Sequence, residues 1–552
     1  MTVPAPVLVV GAGPTGLTAA CALWGLGVPC RVVDRRPGPG GAPRGLVLWS
    51  GALECLERVG AAGRIAADAL PLDGASYWSK GRRIGAVRFG GLTGTAFPGP
   101  LSVPQPVTER ALRQRLEELG GAVEWETEAV SVTVPRGGSR DPGARAVVVL
   151  RSAAGTESVT VPWLVAADGA RSLLRDRVGI PFAGHTFGRT FLIADGVLLG
   201  AAPGAEVEHH IAPGGVLVIV PRPGGHRVFF DTEPDGRTGP PPAGLLQRLL
   251  DERGPGGLRL HGIGWSSRFR VHARVAPRFR SGPVLLAGDA AHTHTTAGGQ
   301  GLNTGVQDGY DLGWKLAAAV RGADPALLDS YEAERRPPSV RAVRGGDRQT
   351  RLWLLRNPLA RLLRDTAVRA LSAGGLLESR VLPLLAQLDL DHSGSPAVGD
   401  TEGAGAAPRA LRAGRRAPDA ALMPVHGGTA LSLHARLSEG RHTLLAFGGA
   451  AAGERAARIC SELRGRGADD AVRVVWAQPA GSVTEPGTAF DAGYDIVRDR
   501  SGALGGGDGP WFAYIRPDGV VGARCGPDGL DTLLGRLPSG PALLSPAPAV
   551  RP

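Results

Sequence analysis

Lysine is almost missing: of 62 basic residues only Lys80 and Lys315 are lysine, and the rest are arginine. The arginines are spread over every segment and form no block. That excludes the clustered basic face of a nucleic-acid binder, although the formal net charge of +11 still favours acidic or phosphorylated ligands. The five cysteines, Cys21, Cys30, Cys55, Cys460 and Cys525, contain no CxxC pair and are odd in number, which excludes a disulfide framework. No apolar run approaches the roughly 18 residues of a membrane span, and no basic region precedes the apolar N-terminus. Neither a membrane protein nor a signal peptide is expected, and the cytoplasm is the default location. No histidine pair has a spacing that demands a metal.

What is present begins at the N-terminus. Val7 to Val10 form a short apolar run, and Gly11, Gly13 and Gly16 follow in GAGPTG, with Pro14 and Thr15 opening a helical stretch that reaches about Gly27. Strand, tight turn and helix in that order place helix-end amides on a phosphate: Gly11 permits the turn, Gly13 lets backbone approach a pyrophosphate, and Gly16 lets helix and strand pack closely. A second strand, Arg31 to Val33, ends in Asp34, where a carboxylate accepts hydrogen bonds from a ribose diol. The ligand is a dinucleotide, and the fingerprint alone does not separate FAD from NAD.

Residues 283–316 read PVLLAGDAAHTHTTAGGQGLNTGVQDGYDLGWKL, a strand ending at Gly288-Asp289 and a glycine-rich loop running into an amphipathic helix. This segment resembles the GD motif of the para-hydroxybenzoate hydroxylase-like (class A) flavin monooxygenases. The resemblance implies that Asp289 binds the flavin ribityl hydroxyls. It also implies that the loop through Gly299, Gly301, Leu302 and Asn303 lies beside the isoalloxazine ring. Ala167 to Ser172, followed by Arg175, resembles the family's DG motif, so Asp168 is expected to serve FAD and a transiently bound NAD(P)H. Arg35 beside Asp34, Arg44 in APRGLVLW and Gln105 in PQPVTERALRQRL complete the expected flavin contacts.

Two positions depart from the family pattern. Thr295-Thr296 stand where one or two prolines are usual near the flavin's reactive carbon, and Gly51 stands where an arginine is usual. His292, Thr295 and Thr296 are the candidates for chemistry beside the flavin, with His294 as a neighbour.

The resemblance implies an α/β fold: a Rossmann-type FAD-binding domain (1–75, 103–181 and 277–390) with an inserted mixed β-sheet substrate domain (76–102 and 182–276). A Gly/Ala/Pro/Arg-rich linker (391–418) leads to a C-terminal region (419–552) that resembles the thioredoxin-like domain of phenol hydroxylase relatives, including RPDG at 516–519. Lacking a CxxC pair, that domain is expected to serve packing or dimerisation. Trp78 and Phe97 are expected to line the substrate cavity, and His185, His209, His210, His226 and Asp231 are the polar candidates for orienting a phenol.

The implied reaction is hydroxylation of a polycyclic, polyketide-type phenol or quinone by NAD(P)H and O2 through a flavin C4a-hydroperoxide. The alternative is a flavin-binding redox isomerase or accessory subunit that does not activate oxygen. Partners are then an aromatic small molecule and O2, with a homodimer by resemblance, and neither nucleic acid nor membrane.

Overall fold

The computed structural model describes residues 5–134, 143–202, 204–295, 299–401, 403–408, 411–425, 429–437, 440–481, 494–505 and 510–535. Its first layer is a six-stranded sheet in the order Arg280–Ser281, Val284–Leu286, Trp163–Ala166, Val7–Val10, Cys30–Val33 and Val123–Glu124. The inner strands are parallel, with Val10 level with Ala166 on one side and Val33 on the other, and Ala166 level with Leu286. Parallel strands are covered on both faces, which is why these segments are continuous apolar runs. Each sequence motif follows directly on the carboxyl end of one of these strands: Gly11, Asp34, Asp168 and Asp289 sit along one edge of one sheet. Ligands of open α/β sheets bind along that edge.

Helix α1 (Pro14–Gly25) leaves the first strand and lies against helix α2 (Gln300–Val320), which is buried over most of its length. Gly305, Gly309 and Gly313 are four apart on α2 and face α1. A Cβ at Gly305 would fall on Thr15 Oγ1, one at Gly309 on the Thr15 carbonyl oxygen and one at Gly313 on the Ala22 methyl. Glycine at these three positions sets the close helix approach. It draws the loop before α2 down onto the GAGPTG turn.

The second sheet has eight strands in the order His292–Thr293, Arg259–Val275, Ala183–Leu199, Gly225–Thr232, Gly215–Arg222, Glu206–Ala212, Gly74–Ser79 and Arg82–Arg88. Its pairings are antiparallel except Glu206–Ala212 with Gly74–Ser79. Side chains alternate strictly. Leu217 and Ile219 face a helix at Ala243–Arg253, whereas Val216 and Val218 face the opposite way with Ile193, Val207 and Phe229. The edge strand His292–Thr293 belongs to the GD loop, so this sheet is hydrogen-bonded to the cofactor fold.

A third sheet of seven strands, Leu431–Ser432, Ala421–Pro424, Asp495–Asp499, Val472–Pro479, His442–Phe447, Trp511–Ile515 and Val521–Cys525, forms the C-terminal region, with a helix at Ala450–Gly465 packed on it. Cys460 and Cys525 are buried and unpaired, and burial raises both thiols to about 11. The stretch before this sheet is docked: His392 N donates to the Gly414 carbonyl and Gly414 N to that of Val521.

The sheet meets the first layer through Arg516. This fully buried guanidinium donates to Glu334 (2.6 and 2.7 Å) and to Asp518, while Lys315 Nζ donates to Asp311 (2.8 Å) and Glu334 (2.7 Å). Asp311, Glu334 and Asp518 thus come close enough to hold a metal, but two cations, Arg516 and Lys315, already pair with them. Tyr310 Oη donates to the Pro517 carbonyl (3.0 Å) beside this network.

Two histidines near this interface contribute to the acid response, as His209 and His294 do elsewhere. Burial pushes His392 and His442 down to about 4, against the raising pull of Glu334 and Asp518 respectively. Their folded-state values lie below the ordinary 6.5, so the stability they contribute is complete above pH 6.5 and is lost as pH falls from 6.5 through 4. The expected loss is on the order of 3 kcal/mol per histidine. Urea midpoints taken between pH 8 and pH 4 should therefore fall steadily below 6.5; a midpoint flat to pH 5 contradicts neutral buried imidazoles.

Candidate active site

A single continuous cavity of about 960 Å³ runs along the carboxyl edge of the parallel sheet and under the inner face of the eight-stranded sheet. At one end lies the glycine turn. Gly11 has φ +108°, and a Cβ there would fall 2.2 Å from the Ala167 carbonyl oxygen; a Cβ on Gly16 would fall 1.9 Å from the Gly11 carbonyl oxygen. Gly13 differs, since a Cβ there meets nothing within 4 Å and it borders the cavity with Pro14 and Thr15. No acidic residue occupies the first turn of α1, so its free amides present unopposed positive potential to a pyrophosphate.

Asp34 lines the same end and accepts from Ala12 N (2.8 Å), Arg36 N (2.9 Å) and the Arg36 guanidinium (3.0 Å). Burial raises its carboxyl, but Arg36 and the two amides outweigh it and hold the group below its usual value. Arg35 is exposed at the cavity rim. Arg36, which the sequence did not single out, also pairs with Glu109 at 3.5 Å. Gln105 accepts from Gly45 N (2.9 Å) and donates to Glu109 (2.8 Å), so it fixes the Arg44–Gly45 segment while lining the cavity; Arg44 lines it too.

At the GD turn Gly288 has φ +60°, and Asp289 is the one accessible residue of Gly288–Ala290. Its carboxylate has no hydrogen-bond partner among the described residues. The enclosing cleft raises its pKa, with His292 and Arg44 pulling the other way. Asp168 accepts from Leu174 N (3.2 Å) through one oxygen and leaves the other, buried, without a partner; burial raises it as well. Arg175 donates to the carbonyls of Ala290 (3.2 Å) and Ala170 (3.3 Å), joining the DG and GD segments.

Gly299, in the left-handed region at φ +62°, caps α2, and Gly299, Gly301 and Leu302 line the cavity. Asn303 does not. Its amide donates to the carbonyls of Val47 (2.9 Å) and Gly299 (2.7 Å) and its oxygen accepts from Trp49 N (2.7 Å), so it braces the loop. His292 is also withdrawn from the cavity: fully buried, its Nε2 sits 2.6 Å from Asp308, which accepts from Arg335 (2.9 Å) and Gly288 N (3.2 Å). His294 takes the lining position, edge-on to His292 at 4.8 Å, and burial with the His292 charge pushes it down to about 3. Among the described residues, both ring nitrogens of His294 and the hydroxyls of Thr293 and Thr295 are buried without partners. Thr296 lies outside the described residues. Gly51 cannot be exchanged for an arginine: a Cβ there would meet the Ala386 and Gln387 carbonyl oxygens at 2.9 and 3.1 Å.

The fit to FAD follows from these groups. Buried polar atoms normally find partners, and here unpartnered ones on Asp168, Thr293, His294 and Thr295, with the Asp289 carboxylate, surround one cavity that starts at a pyrophosphate-shaped turn. Asp34 and Gln105 would hold the adenosine half, Asp289 the ribityl chain, and the α2 N-terminus the ring. Bound there, FAD supplies hydride acceptance and oxygen activation.

Beyond the ring position the walls are apolar: Ile193, Val207, Val218, Val220 and Phe229. Tyr77 stacks on His209 at 4.9 Å, and His209 tilts against Trp353 at 5.1 Å. Burial pushes His209 down to about 4, so it is neutral.

Several expected residues are elsewhere. Trp78 does not line the cavity; strand alternation turns Ala75 and Tyr77 inward and sends Trp78 to stack on His210, which pairs with Glu208 at 2.7 Å. Phe97 packs on the core around the parallel sheet, with Phe89 at the cavity instead. His185 meets Asp347 at 3.1 Å, and His226 does not reach the lining. Asp231 is buried in a structural knot with Arg189, Arg253 and Val216 N. Unforeseen was Arg227, which donates twice to Asp195 (2.7 and 2.8 Å), to the Arg44 carbonyl (3.0 Å) and to that of Pro43, tying the eight-stranded sheet to the Pro43–Arg44 loop. Asp195 and Arg227 are register partners on paired strands, a signal visible only once that pairing is known.

Comparison with known proteins agrees with this geometry. A family model described as the FAD binding domain matches residues 4–345. The 6-methylpretetramide 4-monooxygenase of Streptomyces rimosus is 36% identical over 96% of this chain and 92% of its own length. The solved anhydrotetracycline hydroxylase of Streptomyces rimosus is 29% identical, with a TM-score of 0.72 over 98% of this chain and 99% of that one. The dialkyldecalin synthase of Streptomyces rugosporus is 30% identical over 96% of this chain and 97% of its own length.

Proposed function

Since the chain belongs to the FAD-dependent aromatic monooxygenases, we propose that it hydroxylates a polycyclic, polyketide-type phenol or quinone at the expense of NAD(P)H and O2. The observation that carries this reading is the continuity of the cavity, from a dinucleotide turn through unpartnered polar groups to an apolar chamber where His209 lies between a stacked Tyr77 and a tilted Trp353. Flat aromatic rings fit such walls. The neutral imidazole of His209 offers a hydrogen bond to a phenol or quinone oxygen without bringing a charge into the chamber. The α2 N-terminus holds partial positive charge where a reduced ring needs it, and the apolar sheet face excludes water from the reacting carbon. The C-terminal region fits a thioredoxin-like unit without redox chemistry, a β-α-β segment followed by an antiparallel pair.

A second reading has one observation in its favour. The dialkyldecalin synthase is as similar as several hydroxylases, and this chain has Thr295 beside the cavity where its family usually has proline. That reading is a flavoprotein that binds flavin and a polycyclic ligand without transferring oxygen.

The experiment is anaerobic mixing of the FAD-loaded protein with NADPH, with and without a panel of polycyclic phenols and quinones, following the bleaching of flavin absorbance. Strong acceleration by one compound supports a substrate-gated hydroxylase; reduction that no panel compound accelerates favours the second reading. Within the first, His209→Leu is expected to raise KM for the accelerating compound about 10-fold, the cost of one lost hydrogen bond, with FAD content unchanged. An unchanged KM removes His209 from substrate recognition.

A further inference from the structure

The inner face of the eight-stranded sheet is ordered in rows. Ile193 lies level with Phe229, Phe229 with Val218, Val218 with His209 and His209 with Tyr77, so five adjacent strands each send one side chain into the cavity along one line. At the usual strand spacing of about 4.8 Å this floor is about 19 Å long, room for fused rings lying flat rather than for a single phenol. One end of the row is apolar and the other is not. Two residues along the strands the same face continues as Arg227, Val220, Val207 and Ala75. It reaches the Arg44–Trp49 segment, where Arg227 donates to the Arg44 carbonyl and Phe89 meets Trp49 edge-on at 5.2 Å. The Val47 carbonyl in that segment accepts from Asn303, so α2 begins on this side. The helix Asp329–Trp353 closes the other side: Trp353 tilts against His209, and Gln349, one turn earlier, lines the cavity with it.

We propose that Tyr77, His209 and Gln349 form a polar pole at the end of the chamber away from α2, which seats an uncharged substituent of the polycycle able both to give and to accept hydrogen bonds, a carboxamide or a hydroxyl beside a carbonyl, and refuses a carboxylate. The pole rests on the polycycle reading above and adds the chemistry of the far end. Among the described residues the Tyr77 hydroxyl and the Gln349 amide have no hydrogen-bond partner, and His209 Nδ1 is buried without one. A hydroxyl and a primary amide each both donate and accept, so the group they complement carries both kinds of atom. Their neutrality sets the refusal. Burial raises the Tyr77 phenol to about 12 and lowers the His209 imidazole to about 4, against the raising pull of the Ser76 backbone. The cationic residues of the cavity stand among the cofactor motifs, as Arg35, Arg36, Arg44 and Arg171, except Arg227, whose guanidinium is taken up by Asp195 and two carbonyls. A carboxylate at the pole would meet apolar walls and dipoles but no counter-charge, a heavier desolvation penalty than a neutral amide of the same shape incurs. With the polar end held there, the ring edge turned toward α2 is the one offered for oxidation.

Three ligands test the pole, titrated into the FAD-loaded protein near neutral pH and followed by ring fluorescence: a hydroxyanthracene, the same ring with a carboxamide at the end opposite the hydroxyl, and the same ring with a carboxylate there. The carboxamide should bind about 10-fold tighter than the bare ring, and the carboxylate at least about 10-fold weaker than it. Gln349→Leu and Tyr77→Phe should each weaken the carboxamide about 5-fold, more than the bare ring, with FAD content unchanged. Gln349→Arg should reverse the order of carboxylate and carboxamide, a gain that a damaged fold cannot imitate. A carboxamide no tighter than the bare ring, a carboxylate that binds as tightly as the carboxamide, or an order that Gln349→Arg leaves as it was overturns the inference, while binding of the bare ring leaves the polycycle reading standing. Failure of all three rings to bind overturns that reading and the inference with it.

Discussion

Gly13→Val is expected to yield a folded protein that no longer retains FAD, with affinity reduced at least about 100-fold, because the backbone of this residue must approach the pyrophosphate closely. The fold itself tolerates a side chain there. Gly13 has φ −77°, an angle open to any residue, and a Cβ would meet no protein atom within 4 Å. What lies in its path is the cavity. Gly16→Ala makes the opposite case: its Cβ would lie 1.9 Å from the Gly11 carbonyl oxygen, backbone against backbone, and neither can yield without parting α1 from its strand. Gly16→Ala should therefore fail as a folding defect, with a lowered melting temperature even without flavin. Flavin absorbance per chain, read beside the melting temperature of the flavin-free proteins, separates the two. A Gly13→Val protein that keeps stoichiometric FAD would contradict the assignment of the turn to the pyrophosphate.

Arg516→Met should be the most destabilising single change, costing about 3–5 kcal/mol, the usual price of breaking a buried ion pair from one side. Without the guanidinium, Glu334 and Asp518 remain buried beside Asp311 with only Lys315 to offset them. The loss should appear first as release of the C-terminal sheet from α2 and from the helix Asp329–Trp353, since Arg516 belongs to the former and its partners Asp311 and Glu334 to the latter. Limited proteolysis between residues 391 and 418 would report that release. Adding Glu334→Gln should recover part of the stability by removing one unpaired charge, a rescue that a mere packing defect would not show.

The two ends of the cavity were unequally legible from the sequence. Gly11, Asp34, Asp168 and Asp289 were readable because each follows a short apolar strand directly, and a parallel sheet gathers such ends along one edge whatever its strand order. The apolar chamber depends on phase: the sequence points to Trp78, whereas Tyr77 lines the wall, and in a strand a shift of one residue exchanges the faces. His292 and His294 are separated by the same alternation, since they lie on a short strand paired with Arg274 and Val275. Arg227 and Asp195 meet across a strand pair, and Arg516 reaches Glu334 across 182 positions of chain. No local pattern carries contacts of that kind.

The most direct test of an aromatic hydroxylase is the fate of labelled oxygen. The compound that best accelerates anaerobic flavin reduction is turned over with NADPH under 18O2, and the product is weighed by mass spectrometry. Incorporation of one labelled atom per product, matched by one NADPH consumed, is the expected result. A product without label, or a ligand recovered unchanged while NADPH is consumed, would contradict oxygen transfer and leave a flavoprotein whose chamber serves another reaction.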